Sequence, residues 1–84
     1  MLESYIEKEV TRYAAFKGWL SVKLKVRGWP DRAYFKNGKT IFVEFKQPGR
    51  RPRADQNYYL TTLKERGFDV YVCDNTEAGK QIFN

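Results

Sequence analysis

The segment Thr40-Ile-Phe-Val-Glu-Phe-Lys46 is the most strand-like stretch of the 84-residue chain. It is rich in β-branched and aromatic residues, which favour extended backbone. Because side chains alternate between the two faces of a strand, Glu44 and Lys46 share one face. The other face carries Ile41, Val43 and Phe45. The segment therefore predicts a strand that ends with a carboxylate and an ammonium group side by side.

Apolar periodicity and turn residues predict the elements on either side of this strand. Gly18 and Gly67 each follow a helical pattern, and Lys36-Asn-Gly-Lys39 is typical of a hairpin turn. The predicted elements are helices over 2–17 and 54–66, strands over 19–26, 32–35, 40–46 and 68–73, and a last helical turn or two over 76–83.

This element order predicts one α/β domain over residues 1–84, with an α-β-β-β-α-β core around a mixed sheet. The first three strands can form an antiparallel meander. The fourth strand follows a helical crossover, so it should run parallel to the third in a right-handed unit. Ligand sites in such units lie beyond the carboxyl ends of the parallel strands, which directs attention to the region after Phe45.

The charge distribution indicates an anionic partner. The formal net charge is +6, and Asp31 is the only acid between Glu9 and Glu44. Clustered cations of this kind are typical of a phosphate-binding surface, although a merely soluble basic surface is the alternative. The cations expected to contact DNA are Lys23, Lys25, Arg27, Arg32, Arg50, Arg51 and Arg53.

The chain contains no histidine, which excludes every mechanism that needs an imidazole base, nucleophile or ligand. Any metal site must use carboxylates and carbonyls. These hard oxygen ligands favour Mg²⁺ or Mn²⁺ over zinc.

Cys73 is the single cysteine, so an internal disulfide is excluded, and its apolar surroundings favour a buried thiol. No segment approaches the roughly 20 apolar residues that a membrane span needs, and no signal peptide is recognisable. These features predict an intracellular, cytoplasmic protein that does not contact a membrane.

The presence of Asp31 favours a functional role for Glu44 and Lys46. Taken alone, Glu44 and Lys46 could be a local ion pair on an exposed strand face, and Asp31 could be a turn residue. If the second and third strands pair, Asp31 approaches Glu44, and the two carboxylates repel unless a cation lies between them. A divalent metal site explains both residues.

Pro30-Asp31 followed by Glu44-Phe45-Lys46 resembles the PD-(D/E)XK nuclease signature. The flanking positions widen this to a resemblance to the virus-type replication-repair nuclease domain, VRR-NUC, in its minimal stand-alone form. The resemblance covers nearly the whole chain. Its residues are Gly28-x-Pro30-Asp31-Arg32, Phe42-Val-Glu-Phe-Lys46, Pro48-Gly49, Gln56, Leu63, Gly67 and Val70-Tyr-Val.

The resemblance implies a role for each motif residue. Asp31 and Glu44 would be metal ligands, together with the backbone carbonyl of Phe45. Lys46 would orient or activate the attacking water or stabilise developing charge, and Gln56 would help to organise the site.

The family also carries a glutamate on the first helix. Glu7 is the expected match, as a catalytic residue and a further candidate ligand, whereas Glu3, one turn earlier, is the alternative. Both glutamates could instead belong to a solvated helix face. Trp29 could stack on a DNA base or fill the core near Pro30.

The resemblance implies a metal-dependent endonuclease acting as a homodimer on branched DNA, specifically four-way Holliday junctions. The alternatives are flap, nick or sequence-specific duplex cleavage, a non-catalytic DNA-binding module of the same fold, and a basic scaffold protein.

Overall fold

The computed structural model describes residues 1–84 as a mixed four-stranded sheet with helices on both faces. The elements are α1 (Glu3–Phe16), β1 (Leu20–Lys23), β2 (Arg32–Lys36), β3 (Lys39–Phe45), α2 (Ala54–Glu65), β4 (Asp69–Cys73) and α3 (Thr76–Ile82). The predicted fold class and element order are confirmed. None of the three helices has the length and apolar character that a membrane span requires.

The sheet has the strand order β1-β2-β3-β4, with antiparallel pairs up to β3 and a parallel β3–β4 pair. The hairpin between β2 and β3 turns through Asn37 and Gly38, both at positive φ. Two successive positive φ values match the twist of the flanking strands, which is why Asn-Gly favours this turn. The turn sets a register in which Arg32 pairs with Val43.

The two faces of β3 bury different residues. Ile41, Val43 and Phe45 join a core against α1 and α3, while Phe42 packs with Leu63 of α2. The alternation predicted for β3 is confirmed, and both of its faces are covered. Cys73 is buried in the first of these cores, as its sequence context predicted.

The first strand is shorter than the sequence pattern predicted. It ends at Lys23 rather than at residue 26, although the Leu24 amide still donates to the Asp31 carbonyl. Beyond this bond the chain turns through Gly28 (φ +86°), which lies directly against Tyr59. Val26 is left exposed, because the apolar alternation continues past the last residue that has a strand partner.

Candidate active site

The carboxyl end of β3 brings Asp31 and Glu44 together. Asp31 directly precedes β2, whose first residue Arg32 pairs with Val43, so extending the register by one residue places Asp31 beside Glu44. Asp31 Oδ2 also accepts a hydrogen bond from the Phe45 amide at 2.8 Å. The expected approach of the two acids is thus present. The structure shows the Phe45 amide in contact with Asp31, and the carbonyl expected as a ligand belongs to the last residue of β3.

Glu44 is almost fully buried, with 1% of its surface exposed. Its Oε2 accepts a hydrogen bond from Gln56 Nε2 at 2.9 Å and lies 3.3 Å from Lys46 Nζ. Its Oε1 is buried with no hydrogen-bond partner. This burial excludes the alternative of an ion pair on an exposed strand face.

Burial disfavours the charged forms of both acids. Desolvation, followed by the nearby Asp31 charge, raises the pKa of Glu44 to about 7, although Lys46 opposes the shift. Desolvation also raises the pKa of Asp31, against the stabilising bond from the Phe45 amide. The Asp31 charge raises the pKa of Glu44, and the Glu7 charge raises the pKa of Asp31, so a cation bound at these carboxylates would relieve the repulsion.

Gln56 connects Glu44 to the start of α2. Its side-chain amide donates to Glu44, and its Oε1 accepts from the Arg53 amide at 2.9 Å. Both ends of the side chain are fixed, so Glu44 is held in one orientation. The organising role expected of Gln56 stays a prediction, and these two hydrogen bonds are the contacts that it would use. We refer to Asp31, Glu44, Lys46 and Gln56 as the Glu44 cluster.

A hard divalent cation fits the donors present here. The unpartnered Oε1 of Glu44 is a buried oxygen that lacks a donor, and Asp31 adds a second carboxylate opposite it. Mg²⁺ and Mn²⁺ prefer such oxygen ligands. No three or more Asp, Glu, Cys or His side chains gather closely enough to hold a metal ion. Asp31 and Glu44 are therefore the two side chains here that could hold such a cation.

Glu7 lies in a separate cluster on the α1 side of the sheet. Its Oε2 accepts hydrogen bonds from Lys23 Nζ and Arg32 Nε, both at 2.7 Å. Lys23 and Arg32 are directly opposite each other on β1 and β2, so the glutamate separates two like charges. We refer to these three residues as the Glu7 cluster. It borders a cleft that is also lined by Glu3, Asp31 and Gln47.

The cations expected to contact DNA fall into three groups. Arg50, Arg51 and Arg53 line a cleft of about 390 Å³ together with Lys46, Gln47 and Glu3. Lys25 and Arg27 are exposed on the loop between β1 and β2, and Arg27 lies 3.8 Å from Asp55. Lys23 and Arg32 are held by Glu7.

Trp29 packs inward rather than projecting as a free stacking surface. Its ring centroid lies 5.3 Å from that of Tyr59 and 6.5 Å from that of Phe42. This contact corresponds to the core-filling alternative.

Gln47 was missed by the sequence patterns, although it lines both clefts at this end of the sheet. Its only sequence signal is its position directly after Lys46. Asp55 was missed as well; it binds Arg53 at 3.1 Å and thereby restrains one of the predicted DNA contacts.

Comparison with known proteins supports the fold. The chain is similar to a solved structure described as a VRR_NUC domain, with a TM-score of 0.86 and 24% sequence identity. The match covers 95% of this chain and 91% of that chain. No family model and no curated protein matches the sequence. The chain therefore has the VRR-NUC fold that its sequence motifs indicated.

Proposed function

We propose that this chain is a divalent-metal-dependent endonuclease that hydrolyses phosphodiester bonds in DNA at the Glu44 cluster. The observation that carries the proposal is the buried Glu44 oxygen with no partner, opposite Asp31 and beside Lys46. A carboxylate desolvated in this way is costly unless it binds a cation. The similarity to a VRR_NUC domain supports the same class of chemistry by analogy of fold.

Each residue of the Glu44 cluster would have its own role in phosphodiester hydrolysis. Asp31 and Glu44, with the Phe45 carbonyl, would hold Mg²⁺ or Mn²⁺, which would polarise the scissile phosphate and supply positive charge there. Lys46 carries a further positive charge 3.3 Å from Glu44. There it can orient the attacking water or stabilise the phosphorane. Gln56 keeps Glu44 in position. The resemblance to PD-(D/E)XK nucleases implies that the products would be a 5′-phosphate and a 3′-hydroxyl.

DNA is the substrate that the surroundings of the site favour. Arg50, Arg51 and Arg53 share a cleft with Lys46, so they can bind backbone phosphates beside the bond that is cut. Arg27, on the exposed loop before Asp31, and Arg53 both lie near Asp55, so this loop adds positive charge beside the cleft. Binding through phosphates predicts an affinity that falls steeply with salt, which a basic scaffold protein would not show.

The decisive experiment measures cleavage of labelled linear, flap, splayed and four-way DNA with Mg²⁺ or Mn²⁺. We expect the wild type to cut the four-way junction and Asp31→Asn to cut at least about 100-fold more slowly. Asp69→Asn is the matched control, because Asp69 begins β4 at the opposite end of the sheet. Equal cleavage by wild type and Asp31→Asn would contradict the proposed site. Cleavage of flap or linear DNA alone would replace junction specificity with one of the alternatives.

We also propose that the chain forms a homodimer, because part of one sheet face is not covered by a helix. Leu20 and Phe35 are paired across β1 and β2, and Val22 lies on the same face. Their exposed fractions are 68%, 39% and 46%, because α2 covers β3 and β4 instead. In a chain of charge +6, an apolar surface without charged side chains is where a second copy can approach with least repulsion.

Sedimentation tests the dimer. We expect the wild type to sediment as a dimer at micromolar concentration and Val22→Glu as a monomer. Val72→Glu is the matched control, since Val72 is 47% exposed on the opposite edge strand. A wild-type monomer that is fully active on junctions would overturn the dimer without affecting the proposed nuclease site.

A further inference from the structure

We infer that Glu7 is a positioning residue that keeps Lys23 and Arg32 away from the metal-binding carboxylates, and that it is not itself a metal ligand. The inference rests on the proposed metal site at Asp31 and Glu44. It assigns Glu7 a role different from the ligand role that its position on the first helix suggested.

The contacts of Glu7 are the first argument. Its Oε2 already accepts two hydrogen bonds, each 2.7 Å long, from Lys23 and Arg32. Both bonds join opposite charges, which makes them stronger than bonds between neutral groups. The glutamate side chain is only 10% exposed. These bonds therefore lie in partly desolvated surroundings, where charge pairs are strong.

A metal bound through Oε2 would have to displace one or both of these cations, and a metal bound through Oε1 would add positive charge to a carboxylate that already pairs with two cations. Consistent with the positioning role, Glu7 does not form a three-carboxylate group with Asp31 and Glu44. The existing partners of Glu7 thus argue against ligation.

The position of Lys23 is the second argument. Lys23, Glu7 and Asp31 line the same cleft. An ammonium on a flexible four-carbon stem that is released from Glu7 can therefore pair with Asp31 and compete with a metal. Arg32 has a second partner in Ser21 Oγ, at 3.4 Å, so Lys23 is the more mobile competitor.

The balance of charges around the site also supports a positioning role for Glu7. Lys23 and Arg32 face each other across β1 and β2, beside a site that must bind a divalent cation. Glu7 cancels one of their two charges. Without it, the cleft that it shares with Asp31 would gain one unit of net positive charge, which would weaken metal binding even if neither side chain moved.

Manganese affinity, measured by electron paramagnetic resonance without DNA, tests the inference. We expect Glu7→Gln to weaken Mn²⁺ binding about tenfold, the size typical for residues behind the ligands. Adding Lys23→Met to Glu7→Gln should restore most of the affinity, because the competing ammonium is then gone. Glu9→Gln is the matched control, since Glu9 also lies on α1 and binds only the exposed Arg12. It should bind Mn²⁺ like the wild type.

The double variant separates positioning from ligation. If Glu7 is a ligand, removing Lys23 cannot replace the missing oxygen, and a double variant as weak as Glu7→Gln would overturn the inference. Unchanged affinity in Glu7→Gln would overturn it as well. A wild type that binds no Mn²⁺ would contradict the proposed metal site itself, and the inference with it.

A measurement on the wild type covers the case in which Glu7→Gln does not fold. Side-chain carboxyl carbons can be followed by ¹³C nuclear magnetic resonance during titration with Mg²⁺. The Asp31 and Glu44 signals should move strongly, and the Glu7 signal should move much less. A Glu7 shift as large as that of Asp31 would show direct ligation and overturn the inference.

Discussion

The Glu44 cluster and the Glu7 cluster each place a glutamate beside a lysine, yet the two glutamates differ in the number of their charged partners and in the burial of the oxygen that has none. Glu7 has two cations on one oxygen at 2.7 Å. Glu44 is more deeply buried, has one lysine at 3.3 Å, and keeps its other oxygen without a partner. Buried polar groups in folded proteins are nearly always satisfied, so an unsatisfied one calls for a functional explanation. The two glutamates thus differ more in their partners than in their burial, and this difference is the basis for proposing a positioning role for Glu7 and a metal-binding role for Glu44.

The largest expected effect comes from the lysine of the Glu44 cluster. Lys46→Met should lower the rate of DNA cleavage by about 100- to 1,000-fold, because a preorganised positive charge at the phosphate is lost. Single-turnover cleavage with saturating protein measures the step. Lys36→Met is the control. The Lys36 ammonium also has a fixed partner, the Lys17 carbonyl, but this contact lies near the start of β1. Equal losses in the two variants would mean that the Lys46 effect is only structural.

The raised pKa of Glu44 should be visible in how the free energy of unfolding depends on pH. Its pKa is raised to about 7 in the folded protein from 4.5, so the folded state holds the proton more tightly than the unfolded state. The stabilisation that comes from this tighter proton binding is fully present below about pH 4.5 and is lost as the pH rises through 7. Without metal, the free energy of unfolding should therefore fall by on the order of 3 kcal/mol from this group over that range.

Urea denaturation in a chelating buffer at a series of pH values measures this slope. Glu44→Gln should remove most of it, leaving the smaller contribution of Asp31, whose pKa is also raised. A Glu44→Gln variant with the wild-type slope would show that the carboxyl is not responsible.

The smallest effect concerns Gln56, which links the Glu44 cluster to α2. Both the Arg53 amide and Glu44 lose a partner when this side chain is replaced by leucine. Gln56→Leu should therefore destabilise the fold by about 1–2 kcal/mol. Chemical denaturation gives the difference.

The control for this variant is Gln81→Leu, at an exposed site in α3. A surface substitution of this kind should stay within about 0.5 kcal/mol of the wild type. If the two glutamine variants behaved alike, the Gln56 contacts would contribute nothing to stability.

Most of the fold could be predicted from the sequence because its signals are local. The alternation in β3, the Asn-Gly turn and the glycines after α1 and α2 each act over a few residues. The approach of Asp31 to Glu44 followed from the register that the turn sets. The end of β1 could not be located, because Val26 continues the alternation although the residues after Leu24 have no strand partner.

The partners of individual side chains at the site were harder to predict. Glu7 and Glu3 lie one turn apart on α1, and only the docking of that helix places Glu7 against Lys23 and Arg32. The packing of Trp29 likewise depends on Tyr59, which arrives from a different element. These contacts form where a helix packs on the sheet, so the residue spacing within one segment cannot predict them.

The Asn37–Gly38 turn has a consequence for the order of folding. It joins β2, which Asp31 directly precedes, to β3, which carries Glu44, so the carboxylate pair forms within a single hairpin. Closing a short loop costs little chain entropy, and hairpins of this kind form within microseconds. The parallel pairing of β4 must wait for the whole α2 crossover. Both acids can therefore be opposite each other before Gln56 and α2 arrive to bury them.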